Sequence, residues 1–160
     1  MDRSALVNPE RRLPVVALPA VPGGEKEPLR PPGRRASVVA LVHGGECEAC
    51  RAYLEALASR AEEVREWEGR MTAVTEEAWG EAALLPAPLL EQIRLLADPG
   101  HQVAGACGVV IPALLIADRW GAIYLAHEAG AEHRWPTPEE VVSALRYLAI
   151  QCPECEGEAY

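Results

Sequence analysis

A seven-residue, almost wholly apolar run, Ala36-Ser37-Val38-Val39-Ala40-Leu41-Val42, leads five residues later into Cys47-Glu48-Ala49-Cys50 at the head of a long helical pattern. An apolar run of this length, rich in valine and without polar alternation, is a strand buried on both faces. From Cys47 the apolar positions Cys50, Tyr53, Leu54, Leu57, Ala58, Ala61 and Val64 recur at three- and four-residue intervals. Arg51, Glu55, Arg60, Glu62 and Glu63 fall on the other face, so one amphipathic helix is expected, with Gly69 as its C-terminal cap. A central strand that hands two cysteines to a helix N-terminus restricts the fold to an α/β sheet covered on both sides. It also restricts the chemistry. The helix end offers unpaired N–H groups and a positive dipole end to a thiolate on the first cysteine, and the second lies one turn along, in reach of a disulfide.

The remaining pattern completes such a sheet. Pro14–Pro19 reads as a short strand, Pro22-Gly23-Gly24-Glu25 as a turn and Pro28-Leu29-Arg30 as its return. Met71–Thr75 and Arg94–Ala97 are strand candidates, with a poorly patterned stretch between them where Pro86 and Pro88 interrupt helical signals. Asp98-Pro99-Gly100 forms a turn that caps a short helix through Cys107. Ala113–Ala117 and Ala122–Ala126, joined by Asp118-Arg119-Trp120-Gly121, read as a hairpin. Thr137-Pro138-Glu139-Glu140 opens the last helix with a capping box and proline at the first helical position. The organisation expected is an N-terminal arm over 1–13, one domain over 14–150 and an acidic, cysteine-bearing tail over 151–160.

Composition removes several classes of function. The chain has 160 residues and a net charge of −9, with no basic stripe carrying interleaved aromatics, so neither nucleic acid nor an anionic membrane surface is an expected partner. No window approaches the roughly 20 apolar residues of a membrane span. Five cysteines are too few for a secreted disulfide scaffold and no signal-peptide h-region opens the chain, so a cytoplasmic location is expected.

The element order, with Cys-x-x-Cys after the first central strand and Ile111-Pro112 just before the hairpin, resembles the thioredoxin fold. The stretch Leu95 to Val109 (Leu-Leu-Ala-Asp-Pro-Gly-His-Gln-Val-Ala-Gly-Ala-Cys-Gly-Val), with Pro112-Ala113 and Ile116 to Gly121, resembles the redoxins, the peroxiredoxin-like alkyl hydroperoxide reductase and thiol-specific antioxidant family. The N-terminal hairpin fits the same family. The resemblance covers roughly residues 14–150. It implies a three-layer thioredoxin-like fold: a mixed central sheet flanked by helices, with an N-terminal β-hairpin extension. It also implies a cis proline at Pro112, beside the redox pair. Two departures stand out. Peroxiredoxins carry a proline seven residues, and a Thr or Ser three residues, before the peroxidatic cysteine; here Ala40 and Gly44 occupy those positions. Thioredoxins bury an Asp six residues before the first cysteine, where this chain has Leu41.

The expected activity is therefore a thiol–disulfide oxidoreductase, with Cys47 as attacking thiolate, Cys50 as resolving thiol and Pro112 aligning the substrate. It needs no organic cofactor. Its partners are a disulfide-containing or peroxide substrate and a thiol or protein reductant, and it acts as a monomer or homodimer. The alternative is a peroxiredoxin-type peroxidase with Cys47 as peroxidatic cysteine. A second alternative is a zinc-stabilised, non-enzymatic interaction protein, in which the partner pair for a zinc site comes from Cys152 and Cys155 in the tail. That tail pair also reads as a second exchanging dithiol or as plain tail. Glu46 and Glu48 disfavour a thiolate and make the pair less oxidising; His43 at the strand end would offset them if protonated. Cys107 reads as a small buried hydrophobe, the four tryptophans as packing residues, and His101, His127 and His133 show no metal-ligand spacing and read as surface or core residues.

Overall fold

Residue alternation along the central strand sets the layers. In the computed structural model, which describes residues 11–21, 23–44, 46–76 and 86–151, strand β3 (Ala36–Val42) is buried at every position. Val38, Ala40 and Val42 face one core and Val39 and Leu41 the other, as the two-residue period of a strand requires. Beside β3 lie β4 (Gly69–Thr75) and β5 (Arg94–Ala97) on one side, both parallel, and β6 (Ala113–Ala117) and β7 (Ile123–Glu128) on the other, in the order β5-β4-β3-β6-β7. Strand β6 runs antiparallel to both of its neighbours.

One face is covered by helices α1 (Glu48–Ala58), α2 (Ala61–Glu66), α3 (Ala87–Gln92) and α5 (Pro138–Ile150), whose Leu54, Leu57, Val64, Leu89, Val142 and Leu145 fill the first core. The other face is covered by α4 (Gln102–Cys107) and by the hairpin of β1 (Ala17–Pro19) and β2 (Lys26–Pro28), with Leu13, Leu18, Leu29 and Val103 inside. The chain on either side also guards the sheet edges: Ala20 bridges Leu96 on β5, and Arg12 bridges Ala122 next to β7.

Several expectations need correction. The long helix from Cys47 is two helices. Ser59 Oγ donates back to the Ala56 carbonyl at 2.6 Å and Arg60 N–H bonds to Leu57, a tightened turn that ends α1 and lets α2 start at a new angle. Gly69 is not a cap but the first residue of β4, and a Cβ there would meet Val64 Cγ1 and Leu145 Cδ1 at 3.0 Å. The left-handed turn before it is made by Glu68, at φ 57°. Pro88 does not break α3; it sits in the first turn, where its missing N–H costs nothing. The expected helical signal over Glu81–Leu85 lies outside the described residues, as do Trp79, Cys152 and Cys155.

The capping box of α5 is present as read: Thr137 Oγ1 accepts from Glu140 N–H at 3.1 Å, and Glu140 Oε2 accepts from Thr137 N–H at 3.2 Å. Thr137→Ala is expected to cost about 1 kcal/mol, seen as a lower urea midpoint with unchanged slope. An unchanged midpoint would remove the cap from the account.

Candidate redox site

Strand β3 ends at Val42, and the chain turns through His43 and Gly44 into α1. Cys47 is the N-cap of α1, with φ −80° and ψ 102°, and Cys50 is its third helical residue. N-cap and third-residue side chains converge over the open end of a helix, the same spacing that a capping box exploits. The Cys-x-x-Cys motif uses that convergence to bring two sulfurs together. Both cysteines are free thiols; Cys47 is half-buried, whereas Cys50 is only 1% exposed.

Each sulfur has its own imidazole. Cys47 Sγ lies 3.4 Å from His133 Nε2, and Cys50 Sγ 3.8 Å from His43 Nδ1. The two rings meet edge to face with centroids 5.3 Å apart. All four donor atoms lie within 4.8 Å of one another. Burial pushes the Cys50 thiol up to about 12, with the adjacent Cys47 sulfur adding to the shift and a backbone hydrogen bond involving His43 opposing it. At neutral pH the buried Cys50 sulfur is therefore held as the thiol. The division of labour follows: the accessible sulfur initiates, and the buried one waits for a base.

His133 is the residue that sequence reasoning missed; it belongs to the site and not to the surface or core. It lies in the loop between β7 and α5, which is tied down from several directions. Ala129 N–H bonds to the Pro112 carbonyl at 2.7 Å, Arg134 N–H to Ala129 at 2.9 Å, and His127 Nε2 donates to the Arg134 carbonyl at 2.7 Å. From α1, Tyr53 O–H donates to the Pro136 carbonyl at 2.7 Å and the ring stacks on Trp135 at 4.4 Å. His133 itself adopts a left-handed backbone, φ 53°, a conformation that non-glycine residues keep mainly where surrounding structure enforces it. Its Nδ1 is 3.2 Å from the Ala131 carbonyl oxygen, which only accepts. Nδ1 therefore carries hydrogen, and Nε2 of the neutral ring faces Cys47 with a lone pair.

A topological signal for His133 did exist. The register pairs Leu41 with Ala113, so the start of β6 lies beside the end of β3. The antiparallel return of β7 must then end at that same edge, and the loop after it carries His133. Pro112 stands there too, at the end of the β3–β6 ladder, and the Ile111–Pro112 bond is cis. His43 is placed at Cys50 rather than at Cys47. Glu46 and Glu48 are exposed, so solvent weakens the repulsion expected from them. Cys107 is buried in the opposite core from Cys50, its thiol raised by burial, and takes no part. His101 pairs with Glu76 at 3.4 Å, away from the sulfurs.

No protein-family model and no curated protein matches the chain. Solved structures do match it. The AhpC of Mycobacterium tuberculosis aligns with a TM-score of 0.72 and 17% identity over 94% of this chain and 98% of its own. The AhpC of Enterococcus faecalis aligns with a TM-score of 0.73 and 18% identity over 89% and 91%. The thioredoxin domain of a thiol-disulfide oxidoreductase from Bacteroides vulgatus aligns at 0.63 and 13% over 86% and 96%. The chain has the thioredoxin-like fold. Within this thioredoxin-like frame, the sequence departures acquire positions. Leu41 packs in the core that α4 and the hairpin cover, so the position of the thioredoxin acid is apolar; Gly44 brings no hydroxyl to the loop before Cys47. Among the described residues, the groups placed to move protons at this pair are the two histidines.

Proposed function

We propose that the protein is a thiol–disulfide oxidoreductase. One observation carries the reading: an accessible sulfur, Cys47, with an imidazole nitrogen at 3.4 Å and a second, buried thiol within 4.8 Å behind it. Neutral His133 takes the Cys47 proton, and the thiolate attacks one sulfur of a substrate disulfide. The other substrate sulfur leaves and picks up a proton. Cys50 then passes its proton toward His43 Nδ1 and attacks Cys47, releasing the second substrate thiol and closing the 47–50 disulfide. Two electrons pass from the dithiol to the substrate, and an external thiol or protein reductant returns them. Pro112, at the same sheet end, fits the role of aligning the substrate chain. The low cysteine content fits work in a reducing, cytosolic setting.

A peroxidase is the second reading, favoured by the AhpC alignments. Against it stand Gly44, which offers a peroxide no hydroxyl, and a resolving thiol already at hand for disulfide exchange. Equilibration in glutathione buffers of graded poise, followed by disulfide mapping, tests the first reading. A reversible 47–50 bond is expected in the full chain. Its absence at every poise, or exclusive pairing of Cys47 with a tail cysteine, would overturn the reading. Rapid mixing with hydrogen peroxide is expected to oxidise Cys47 no faster than an ordinary thiolate; fast, saturating oxidation would shift the assignment to the peroxidase.

A further inference from the structure

The two sulfurs and two imidazole nitrogens that face one another at the end of β3 form a complete set of soft metal ligands. We infer that the reduced protein binds one thiophilic, tetrahedral ion, represented by Zn²⁺, through His43 Nδ1, Cys47 Sγ, Cys50 Sγ and His133 Nε2. The zinc alternative read from the sequence sought its second pair of ligands in the tail, which lies outside the described residues; within them, His43 and His133 offer such a pair.

Geometry carries the inference. A tetrahedral S₂N₂ zinc site, with bonds of about 2.3 Å to sulfur and 2.0–2.1 Å to nitrogen, has edges of roughly 3.3–3.8 Å between donors. The Cys47–His133 edge is 3.4 Å and the Cys50–His43 edge 3.8 Å, and no edge exceeds 4.8 Å. Closing the set around an ion therefore asks for movements of about 1 Å or less. The ligands stand on supports of three kinds: a strand end, a helix start and a loop fixed by hydrogen bonds to Pro112, just before β6, and to α1. The Ala131 carbonyl holds the His133 Nδ1 hydrogen and leaves Nε2 free to coordinate, which is the outer support that metal-bound histidines use. Charge agrees: two thiolates neutralise a dication, and exposed Glu46 and Glu48 keep the surroundings negative. Ligand type agrees as well, since thiolate and imidazole in tetrahedral array select Zn²⁺ or Cu⁺ over hard cations.

Binding displaces the two thiol protons, and only the dithiol can bind. Once Cys47 and Cys50 are joined at about 2.05 Å, neither sulfur is a thiolate. The ion and the substrate disulfide thus compete for the same sulfurs. Oxidation of the loaded site by a disulfide would yield the 47–50 bond, free Zn²⁺ and two substrate thiolates, which take up two protons from solvent. This last consequence, a site silenced by metal and opened by oxidation, rests on the proposed oxidoreductase reading; the binding itself does not.

The test is titration of the full, reduced, metal-stripped chain with Zn²⁺ against a chromophoric chelator, with Co²⁺ as a spectroscopic probe. One equivalent is expected, and the Co²⁺ form should show the intense visible bands of a tetrahedral site and thiolate charge transfer. His133→Ala and His43→Ala should each weaken Zn²⁺ by about 100-fold or more. The double variant Cys152→Ser/Cys155→Ser should bind as the parent does. Oxidised parent protein, which lacks only the thiolates, should not bind, and this arm stands even if a histidine variant folds poorly. Absence of a stoichiometric site, undiminished binding by protein in which the 47–50 disulfide has been mapped or by both histidine variants, or loss of binding in the tail variant would each overturn the inference. Because none of these readouts is catalytic, failure of metal binding leaves the oxidoreductase reading intact, and the reverse holds too.

Discussion

Cys47→Ser is expected to lower the rate of disulfide reduction by roughly 10³-fold or more, to the background of the remaining thiols. A hydroxyl in place of the half-buried sulfur cannot supply a thiolate, and Cys50 cannot take over. It is 1% exposed and its thiol is held at about 12, so it meets neither the access nor the ionisation that attack requires. Cys50→Ser should fail differently. The first attack proceeds, the mixed disulfide between Cys47 and the substrate accumulates, and turnover stops after one stoichiometric burst of released thiol. Single-turnover kinetics with intact-mass detection of the adduct distinguish the two variants. Full activity in Cys47→Ser would remove the mechanism, and an adduct on Cys50 in the wild type would reverse the order of the two sulfurs.

The five strands of the main sheet and the last helix were legible because their signals are local, whereas the hairpin's return strand, expected over Pro28-Leu29-Arg30, lies at Lys26–Pro28. The run 36–42 could be buried on both faces only in a central strand, and Thr137-Pro138-Glu139-Glu140 could be little else than a helix start. The break at Ser59-Arg60 was not legible. Apolar periodicity continues through it to Val64, and what divides the helices is a tightened turn with a side chain bonded back onto it. Gly69 shows a similar limit. A glycine after a helix reads as a cap, yet here the constraint is the approach of Val64 from α2 together with Leu145 from a helix 76 residues further along the chain. Long-range packing of this kind leaves no mark within a local window.

The site divides along the same line. Cys47 and Cys50 announce themselves by spacing, and Pro112 by its place before the hairpin. His133 does not, since 86 residues separate it from Cys47. Only the antiparallel hairpin, which returns the chain to the end of β3, brings them together. The acidic neighbours carried more weight in the sequence than they do in the fold. Glu46 and Glu48 are adjacent in the chain but point into solvent, while His43 and the sequence-distant His133 touch the sulfurs. Electrostatics at such a pair is decided by distance and burial, not by proximity along the chain.

His133→Ala is expected to slow the single-turnover reaction of Cys47 with a small disulfide about 10- to 100-fold at neutral pH, the range set by about 1.5–3 kcal/mol for a hydrogen bond to a charged group. The effect arises at the sulfur, where Nε2 at 3.4 Å accepts the proton and the resulting imidazolium holds the thiolate. His133→Gln separates the two halves of that role: its amide can donate a hydrogen bond but cannot take up a proton, so it should resemble Ala more than His. A merely structural role for His133, in which the 129–137 loop shifts and substrate docking suffers, predicts something else. Alkylation of Cys47 by iodoacetamide needs no docked substrate, so a docking defect would leave it unchanged, whereas loss of the base should slow it by a similar factor. Adding free imidazole should recover part of the alkylation rate in His133→Ala and none in Cys47→Ser. All of these measurements are made with a metal chelator present, so that a bound ion does not mask the sulfur. Equal alkylation rates in His133→Ala and the wild type would leave the left-handed histidine as a loop-former and transfer the activation of Cys47 to the helix end alone.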